Sequence, residues 1–139
     1  MTESQLRRLT ATMRGLEDGL DELAAALTQP IERTMTVFED DVPAQVRSSM
    51  LETVGRLLVE IRRVRENYGL TPQIVSNRRR FVAKLSSLSI DLIEATSKYM
   101  KAYGEVPEPE RGPLDDQIGK MIVLVEQLES LISGKQRDS

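Results

Sequence analysis

Residues 6–27 read LRRLTATMRGLEDGLDELAAAL, and a large apolar side chain recurs along this stretch in steps of three and four. Steps that average about 3.5 residues place these side chains on one side of an α-helix. Such a seam can pack along its whole length against a second helix that runs parallel or antiparallel to it. The pattern therefore predicts a long amphipathic helix over residues 3–28. Its seam consists of Leu6, Leu9, Met13, Leu16, Leu20, Leu23 and Leu27.

The same stepping returns three more times along the chain. Gly69 is a natural helix-ending residue, and Thr71-Pro72 after it offers a cap and a proline suited to the first helical position. The further predicted helices cover residues 43–68, 72–103 and 114–133, and residues 134–139 form a flexible tail. Their seams are Met50, Val54, Leu57, Ile61, Val64 and Tyr68; Phe81, Leu85, Leu88, Leu92, Ala95 and Tyr99; and Leu114, Ile118, Met121, Val125, Leu128 and Ile132.

The predicted helices and their connections define the expected fold. A chain of 139 residues, 40% apolar and 29% charged, is long enough to form one domain with its own core. Because the connection at Gly69 is short, the helices on either side of it are expected to be antiparallel neighbours. The sequence therefore predicts an all-α, antiparallel four-helix bundle with heptad, coiled-coil-like packing over residues 1–139. Residues 30–41 either extend the first helix beyond a kink at Pro30 or form a short separate helix with Met35 and Phe38 on its apolar side.

Missing residue types exclude many activities. The chain has no histidine, cysteine or tryptophan. Histidine-based catalysis, imidazole-bound metal or haem, disulfides and thiolate sites are therefore excluded. We predict no catalytic residues, no metal site and no cofactor. The longest purely apolar run, Met121–Val125, is too short to span a membrane and the N-terminus lacks a signal segment, so a cytoplasmic location without membrane contact is expected.

Carboxylates on the first helix leave one enzymatic alternative open. Glu17, Asp18, Asp21 and Glu22 include pairs spaced three or four residues apart, which places two carboxylates on one face of a helix. Such a pair can hold Mg²⁺ or Mn²⁺. Because most of these residues point away from the seam, a solvated face is the favoured interpretation. A hydrolase that uses a carboxylate-bound metal is kept as the third functional hypothesis.

A basic cluster surrounds the predicted turn at Gly69. Three arginines precede this glycine and a second basic run follows it. No acidic residue occurs from Ile74 to Ile90, so much of the second run lacks an ion-pair partner one helical turn away. An antiparallel hairpin centred on residue 70 brings the two runs together. The predicted anion-binding or acidic-partner site, here called the basic cluster, consists of Arg62, Arg63, Arg65, Arg78, Arg79, Arg80 and Lys84.

The predicted topology also separates charge along the bundle. In an up-down-up-down arrangement, the Gly69 turn and both termini share one end. The net charge of −3 then hides two ends of opposite sign. The basic end contains Arg7, Arg8, Lys135, Arg137 and the six arginines of the basic cluster, and the acidic end contains Glu39, Asp40, Asp41, Glu105, Glu108, Glu110, Asp115 and Asp116.

These features favour a non-enzymatic protein–protein interaction or assembly module. Homo-oligomerisation is expected, because long heptad helices leave apolar positions at the edge of the seam. A protein partner with an acidic surface also fits the basic cluster. The alternative function is binding of DNA, RNA or another polyanion through the basic cluster. The predicted apolar edge positions are Leu51, Leu58, Val82, Ile93 and Leu131.

Overall fold

The computed structural model of the chain describes residues 1–28 and 32–134. All regular structure in these ranges is helical, which confirms the predicted all-α class. No helix within them combines the length and apolar composition needed to cross a bilayer. The predicted kink at Pro30 and the tail beyond Gly134, with Lys135 and Arg137, lie outside the described ranges. The elements are α1 (Glu3–Thr28), α2 (Ala44–Tyr68), α3 (Asn77–Glu94), α4 (Ser97–Met100), a short 3₁₀ helix (Lys101–Tyr103) and α5 (Glu108–Ser133).

Local chemistry explains the bounds of the first two helices. Thr2 and Gln5 form a capping box at the start of α1. The backbone amide of Gln5 donates to Thr2 Oγ1 at 3.1 Å, and the backbone amide of Thr2 donates to Gln5 Oε1 at 2.8 Å. α2 ends at Tyr68 and is capped by Gly69, whose φ of 61° lies in the left-handed region that glycine adopts without Cβ strain. Both helices match their predicted ranges closely.

The third helix begins later than predicted. α3 starts at Asn77 and is capped by Ser76, whose Oγ accepts a hydrogen bond from the Arg79 amide at 3.2 Å. Residues 70–76 are non-helical. The β-branched Ile74-Val75 pair is a weak helix former, and Ser76 directly after it supplies the cap from which α3 starts. The predicted start at Pro72 and the tight connection that depended on it are therefore wrong.

α3 also ends early, because a side chain from α5 caps a new helix. Asp115 accepts one hydrogen bond from the Ser97 amide at 2.8 Å and a second from the Ser97 hydroxyl at 2.6 Å. The Thr96 hydroxyl donates back to the Ile93 carbonyl at 2.7 Å. α3 therefore stops at Glu94 with Ala95 as its C-cap, and α4 begins at Ser97. The prediction of one continuous third helix is wrong.

The last helix is longer than predicted. α5 begins at Glu108 instead of Leu114, so a proline-rich segment interpreted as a loop forms its first turns. Proline is tolerated at the first positions of a helix, where backbone amides have no intrahelical acceptor. The carboxylates of Glu108 and Glu110 also interact favourably with the positive N-terminal end of the helix dipole. Pro113 lies further inside the helix, where it removes one backbone hydrogen bond without ending α5.

The described part of the first connection, residues 32–43, contains no helix. Met35 and Phe38, the predicted apolar side of a short helix, are exposed. Three of the four residues from Thr34 to Val37 are β-branched, which lowers helix propensity. The prediction of helical structure is therefore wrong over this range.

The chain divides into two compact units, unit 1 (Met1–Gln73) and unit 2 (Ile74–Ser139). In unit 1, α1 packs against α2. In unit 2, α3 packs against α5, which also contacts α4. Each unit has a thin core, and the single-domain, antiparallel four-helix bundle stays a prediction. The buried side chains among the described residues are Leu20, Val54 and Ile61 in unit 1 and Ile118 in unit 2.

Candidate interaction surfaces

Only part of the predicted seam is covered in unit 1. Along α2, Val54 and Ile61 are buried, whereas Leu57 between them is 40% exposed. α1 repeats this alternation, since Leu20 is buried and its nearest seam neighbours on either side are each 38% exposed. A pair of helices therefore leaves one side of each seam uncovered. The exposed residues, here called the open seam of unit 1, are Leu16, Leu23 and Leu57.

The open seam borders an apolar groove of about 510 Å³ in unit 1. Leu20 and Leu23 line it from α1, and Val46, Met50 and Leu57 are among the residues that line it from α2. Two hydroxyl side chains and one amide complete the lining, which contains no ionisable group. An exposed apolar surface rimmed by polar groups is typical of an interaction site.

Unit 2 shows the same alternation. Leu85 and Leu92 are half-buried, whereas Leu88 between them is exposed. On α5, Ile118 is buried and the next seam residue, Met121, is exposed. Both helix pairs therefore cover only one side of their seams. The open seam of unit 2 consists of Phe81, Leu88, Met121 and Leu128.

A second groove, of about 410 Å³, lies between α3 and α5 near the start of α3 and the end of α5. Its walls are apolar except for Lys84. Arg80 precedes Lys84 by four residues and therefore lies on the same side of α3. The groove thus combines an apolar floor with a basic edge. The residues that line this unit-2 groove are Phe81, Lys84, Leu85, Leu128, Leu131 and Ile132.

The predicted apolar edge positions are only partly exposed. Val82, Ile93 and Leu131 are exposed, in agreement with the sequence prediction. Leu58 instead packs against the buried cluster of unit 1, and Leu51 is half-buried. The prediction is wrong for these two leucines because α2 turns one edge of its apolar stripe, and not the middle, toward α1 within unit 1.

The arginines of the basic cluster on α2 differ in their partners. Arg63 is paired, with 2.6 Å between its Nη1 and Glu60 Oε1. Within residues 1–28 and 32–134, no carboxylate lies within 4.0 Å of the guanidinium of Arg62 or Arg65. All three side chains are exposed. Two of the three therefore remain available to an anionic partner.

The second basic run occupies the start of α3. Three consecutive arginines lie in the first turn, and Lys84 follows one turn later; all are exposed. In the part of the chain that the structure describes, none has an acidic partner within 4.0 Å. Arg80 Nη1 donates to Asn77 Oδ1 at 3.2 Å. Positive charge at the N-terminal end of a helix is unfavourable, so an anion bound here would relieve repulsion.

The two basic runs lie in different units, which are described separately. The structure places Arg62, Arg63 and Arg65 together on α2, and the remaining members together on α3. The convergence of the two runs stays a prediction, as does the separation of charge between the ends of a bundle.

The acidic segment, residues 35–41 (MTVFEDD), joins three carboxylates of the predicted acidic end to apolar residues that were predicted to belong to a helix, and the sequence did not identify it as a binding site. Asp40 pairs with Arg47, with 2.6 Å between its Oδ1 and the guanidinium. Among the described residues, Glu39 and Asp41 have no basic partner within 4.0 Å. Apolar residues directly beside three acidic ones are a visible sequence signal, but the interpretation of this stretch as helix concealed it.

The other carboxylates have solvated or structural positions. All four acidic residues singled out on α1 are exposed, as the interpretation of a solvated face predicts. No group of three or more acidic side chains in the described ranges is arranged to hold a metal ion. Hydrogen bonds from the Ser97 hydroxyl and then the Ser97 amide lower the pKa of Asp115. Asp115 therefore acts as a charged cap for α4.

Comparisons with known proteins do not assign this chain to a group. No protein-family model, no curated protein and no solved structure matches it. The features that bear on its function are the open seams, the two grooves and the charged side chains that have no partner among the described residues.

Proposed function

We propose that this chain is a non-enzymatic helical interaction module that self-associates by burying its open seams. The alternation of buried and exposed residues along each seam supports this function. A helix with one partner covers one side of its seam, whereas a helix in a four-helix bundle contacts two neighbours and covers both sides. An antiparallel four-helix bundle is therefore the packing that we propose for the assembled seams.

The open seams supply a driving force for association. Full burial of a leucine side chain contributes about 1.5–3 kcal/mol. Because Leu57 is 40% exposed, burying this exposed part of its side chain contributes about 0.6–1.2 kcal/mol. In a two-fold dimer each such residue contributes twice. Exposed ion pairs add only about 0–1 kcal/mol each, so apolar contacts dominate the affinity.

A matched pair of substitutions on α2 tests this proposal. Leu57 and Val59 are 40% and 42% exposed, but only Leu57 belongs to the open seam. Sedimentation velocity at micromolar concentration should show wild-type protein larger than a monomer. Leu57→Asp should shift it to monomer, and Val59→Asp should leave it associated. A monomeric wild type at high concentration, or equal effects of the two substitutions, would contradict the proposal.

The unpaired basic residues favour a second function, binding of a nucleic acid or another polyanion. The run on α3 supports it most directly, because its charges lie at a helix N-terminus and have no acidic partner within 4.0 Å among the described residues. Affinity should fall steeply with salt, by about 0.9 log units per log unit of salt for each duplex phosphate neutralised. Phe81 is exposed within the second run and can stack on a base, but such stacking accepts every base, so base preference should be slight.

A charge-matched control separates this function from a general effect of net charge. Arg79→Glu with Arg80→Glu should abolish retention of DNA and RNA. Arg7→Glu with Arg56→Glu changes the net charge equally but alters arginines that are paired with Glu3 and Glu52. This control should reduce retention much less. No retention of either nucleic acid by wild-type protein at about 50 mM salt would exclude the polyanion function, and an acidic protein would then be the remaining partner for the basic cluster.

A further inference from the structure

We propose that the acidic segment of one copy of this chain binds in the unit-2 groove of a second copy. The apolar residues of the segment fill the groove, and its carboxylates face the basic residues of α3. The inference rests on the proposed self-association and identifies a pair of surfaces that meet in it.

The acidic segment has the properties of a docking peptide. Met35 and Val37 are 91% and 92% exposed, and Phe38 is also exposed. These apolar side chains lie within four consecutive residues of non-helical backbone. Isolated apolar residues on a surface are ordinary, but a contiguous group beside charged residues is typical of an interaction site. Burying Met35 or Val37 contributes about 1.5–3 kcal/mol each. Phe38 is 65% exposed, with Arg33 Cζ 5.7 Å from its ring centroid, so its burial contributes about 1–2 kcal/mol.

The unit-2 groove has the complementary properties. Its volume of about 410 Å³ lies within the range of about 300–1,000 Å³ found for ligand sites. Leu128 and Leu131 leave half or more of their surface exposed at its α5 wall, and Phe81 is exposed at its α3 wall. An apolar occupant would therefore remove apolar surface from water on both sides of the contact.

Charge complementarity selects the acidic segment as the occupant. Glu39 and Asp41 lack basic partners, and Lys84 and Arg80 lack acidic ones, within the residues that the structure describes. Partners on a second copy would satisfy both sets. Such exposed pairs add modest affinity, but they fix the orientation of the bound segment.

The spacing of apolar and charged residues also matches. An extended chain rises about 3.3 Å per residue and points successive side chains to opposite faces, so Val37 and Glu39 share one face about 7 Å apart and Phe38 lies on the other. A helix rises 1.5 Å per residue, so about 7.5 Å separate Leu85 from Arg80 along α3. With Val37 packed against Leu85 and Phe38 facing α5, Glu39 reaches Arg80, and Asp41 on the same face continues toward the arginines of the first turn.

A second copy is the natural partner because each chain carries one segment and one groove. Two copies can exchange segments reciprocally, which makes two identical contacts related by two-fold symmetry. Such an assembly closes as a dimer and does not grow into a fibre. The bound segment itself covers Phe81 and Leu128 of the open seam of unit 2. It leaves the open seam of unit 1 to pack separately against a second copy.

Charge reversal on the two surfaces tests the exchange. A groove variant carries Arg80→Glu with Lys84→Glu, and a segment variant carries Glu39→Lys with Asp41→Lys. Each alone places like charges in both contacts, so its self-association should weaken about tenfold or more. In an equimolar mixture, each segment meets a groove of opposite charge in the mixed dimer. Sedimentation should therefore show that mixing restores association to near the wild-type level.

The control substitutes two other arginines that have no acidic partner in the described part of the chain. Arg62→Glu with Arg65→Glu changes the net charge as much as the groove variant does but lies outside the groove, so association should stay near wild type. An associated wild type whose groove and segment variants associate normally, or whose mixture is not restored, would overturn the exchange and leave the proposed self-association intact. A monomeric wild type would overturn both. A groove variant that loses nucleic-acid binding but sediments normally would reassign these charges to a polyanion.

Cysteine cross-linking gives an independent measurement of position, since the chain contains no cysteine of its own. Chains carrying Phe38→Cys and chains carrying Leu131→Cys should form a mixed disulfide on oxidation, which requires Cα atoms about 4.4–6.8 Å apart. Chains carrying Val59→Cys replace the first partner in the control. Cross-linking no faster than in this control, with all mixtures still associated, would refute the docking position.

Discussion

Two seam residues one turn apart on α2 distinguish the covered and open sides of the helix pair. The heptad pattern places both Leu57 and Ile61 on the seam of α2. In the structure Ile61 is 9% exposed within a buried cluster, whereas Leu57 is 40% exposed at a groove. Truncation of a buried isoleucine or leucine to alanine costs about 2–5 kcal/mol of unfolding free energy. Because the core of unit 1 is thin and its surroundings can relax, we expect Ile61→Ala to cost about 2–3 kcal/mol. Leu57→Ala should cost about 1–2 kcal/mol in dilute solution, since fewer of its contacts are lost.

Urea unfolding followed by circular dichroism measures both costs over a range of protein concentration. Self-association stabilises the folded chain by mass action, so unfolding midpoints should rise with concentration. If association covers Leu57, its truncation should become more costly as concentration rises and approach the cost of Ile61→Ala. Val59→Ala, at an equally exposed position outside the seam, should remain near wild type throughout.

Two outcomes would refute this reasoning. Equal costs for Leu57→Ala and Ile61→Ala in dilute solution would show that the seam is covered on both sides within the single chain. A cost for Leu57→Ala that does not change with concentration, in a protein that does associate, would place the association surface elsewhere.

Further substitutions test local features. Asp115→Asn should lower the unfolding free energy at neutral pH, because the Ser97 hydrogen bonds lower the pKa of the folded-state Asp115 carboxyl below 3.8. The higher stability of the wild type should persist above that pH and disappear as the pH falls through the lowered pKa, which thermal unfolding over a range of pH measures. Gly69→Ala should destabilise by about 1–2 kcal/mol because φ is 61°, whereas Gly55→Ala, inside α2 with open space around an added Cβ, should stabilise by about 0.5–1 kcal/mol in chemical denaturation. A chelator should leave the melting temperature unchanged; a clear drop would revive the carboxylate-metal hypothesis.

The first two helices were predictable because local signals determine them. The capping box at Thr2 marks the start of α1, and the left-handed glycine at residue 69 marks the end of α2. Both helices have unbroken heptads. The break after Glu94 was not predictable, since it depends on Asp115, which lies 18 residues from Ser97 in sequence. Heptads identify the apolar side of a helix, but they do not reveal how many neighbours will cover it. The exposure of Leu57 and the burial of Leu58 therefore emerge only from the packing.

The candidate sites were predictable to different degrees. Exposed arginines in an acid-free stretch are recognisable from sequence, because helical ion pairs form between residues three or four apart. The acidic segment was missed because Met35 and Phe38 fit a helical spacing, while the β-branched residues between them favour non-helical backbone. The two grooves require a tertiary arrangement and leave no local signal.

The thin cores bear on how many copies of this protein a cell retains. With four buried side chains among the described residues, a single chain has little apolar burial to offset the conformational entropy of folding. If the open seams are covered by association, assembled chains unfold rarely and unassembled ones unfold often. Proteases remove chains chiefly through the unfolded state. Copies made in excess of their binding partners would then be degraded first, so the abundance of the protein would follow the extent of its assembly without a dedicated regulator.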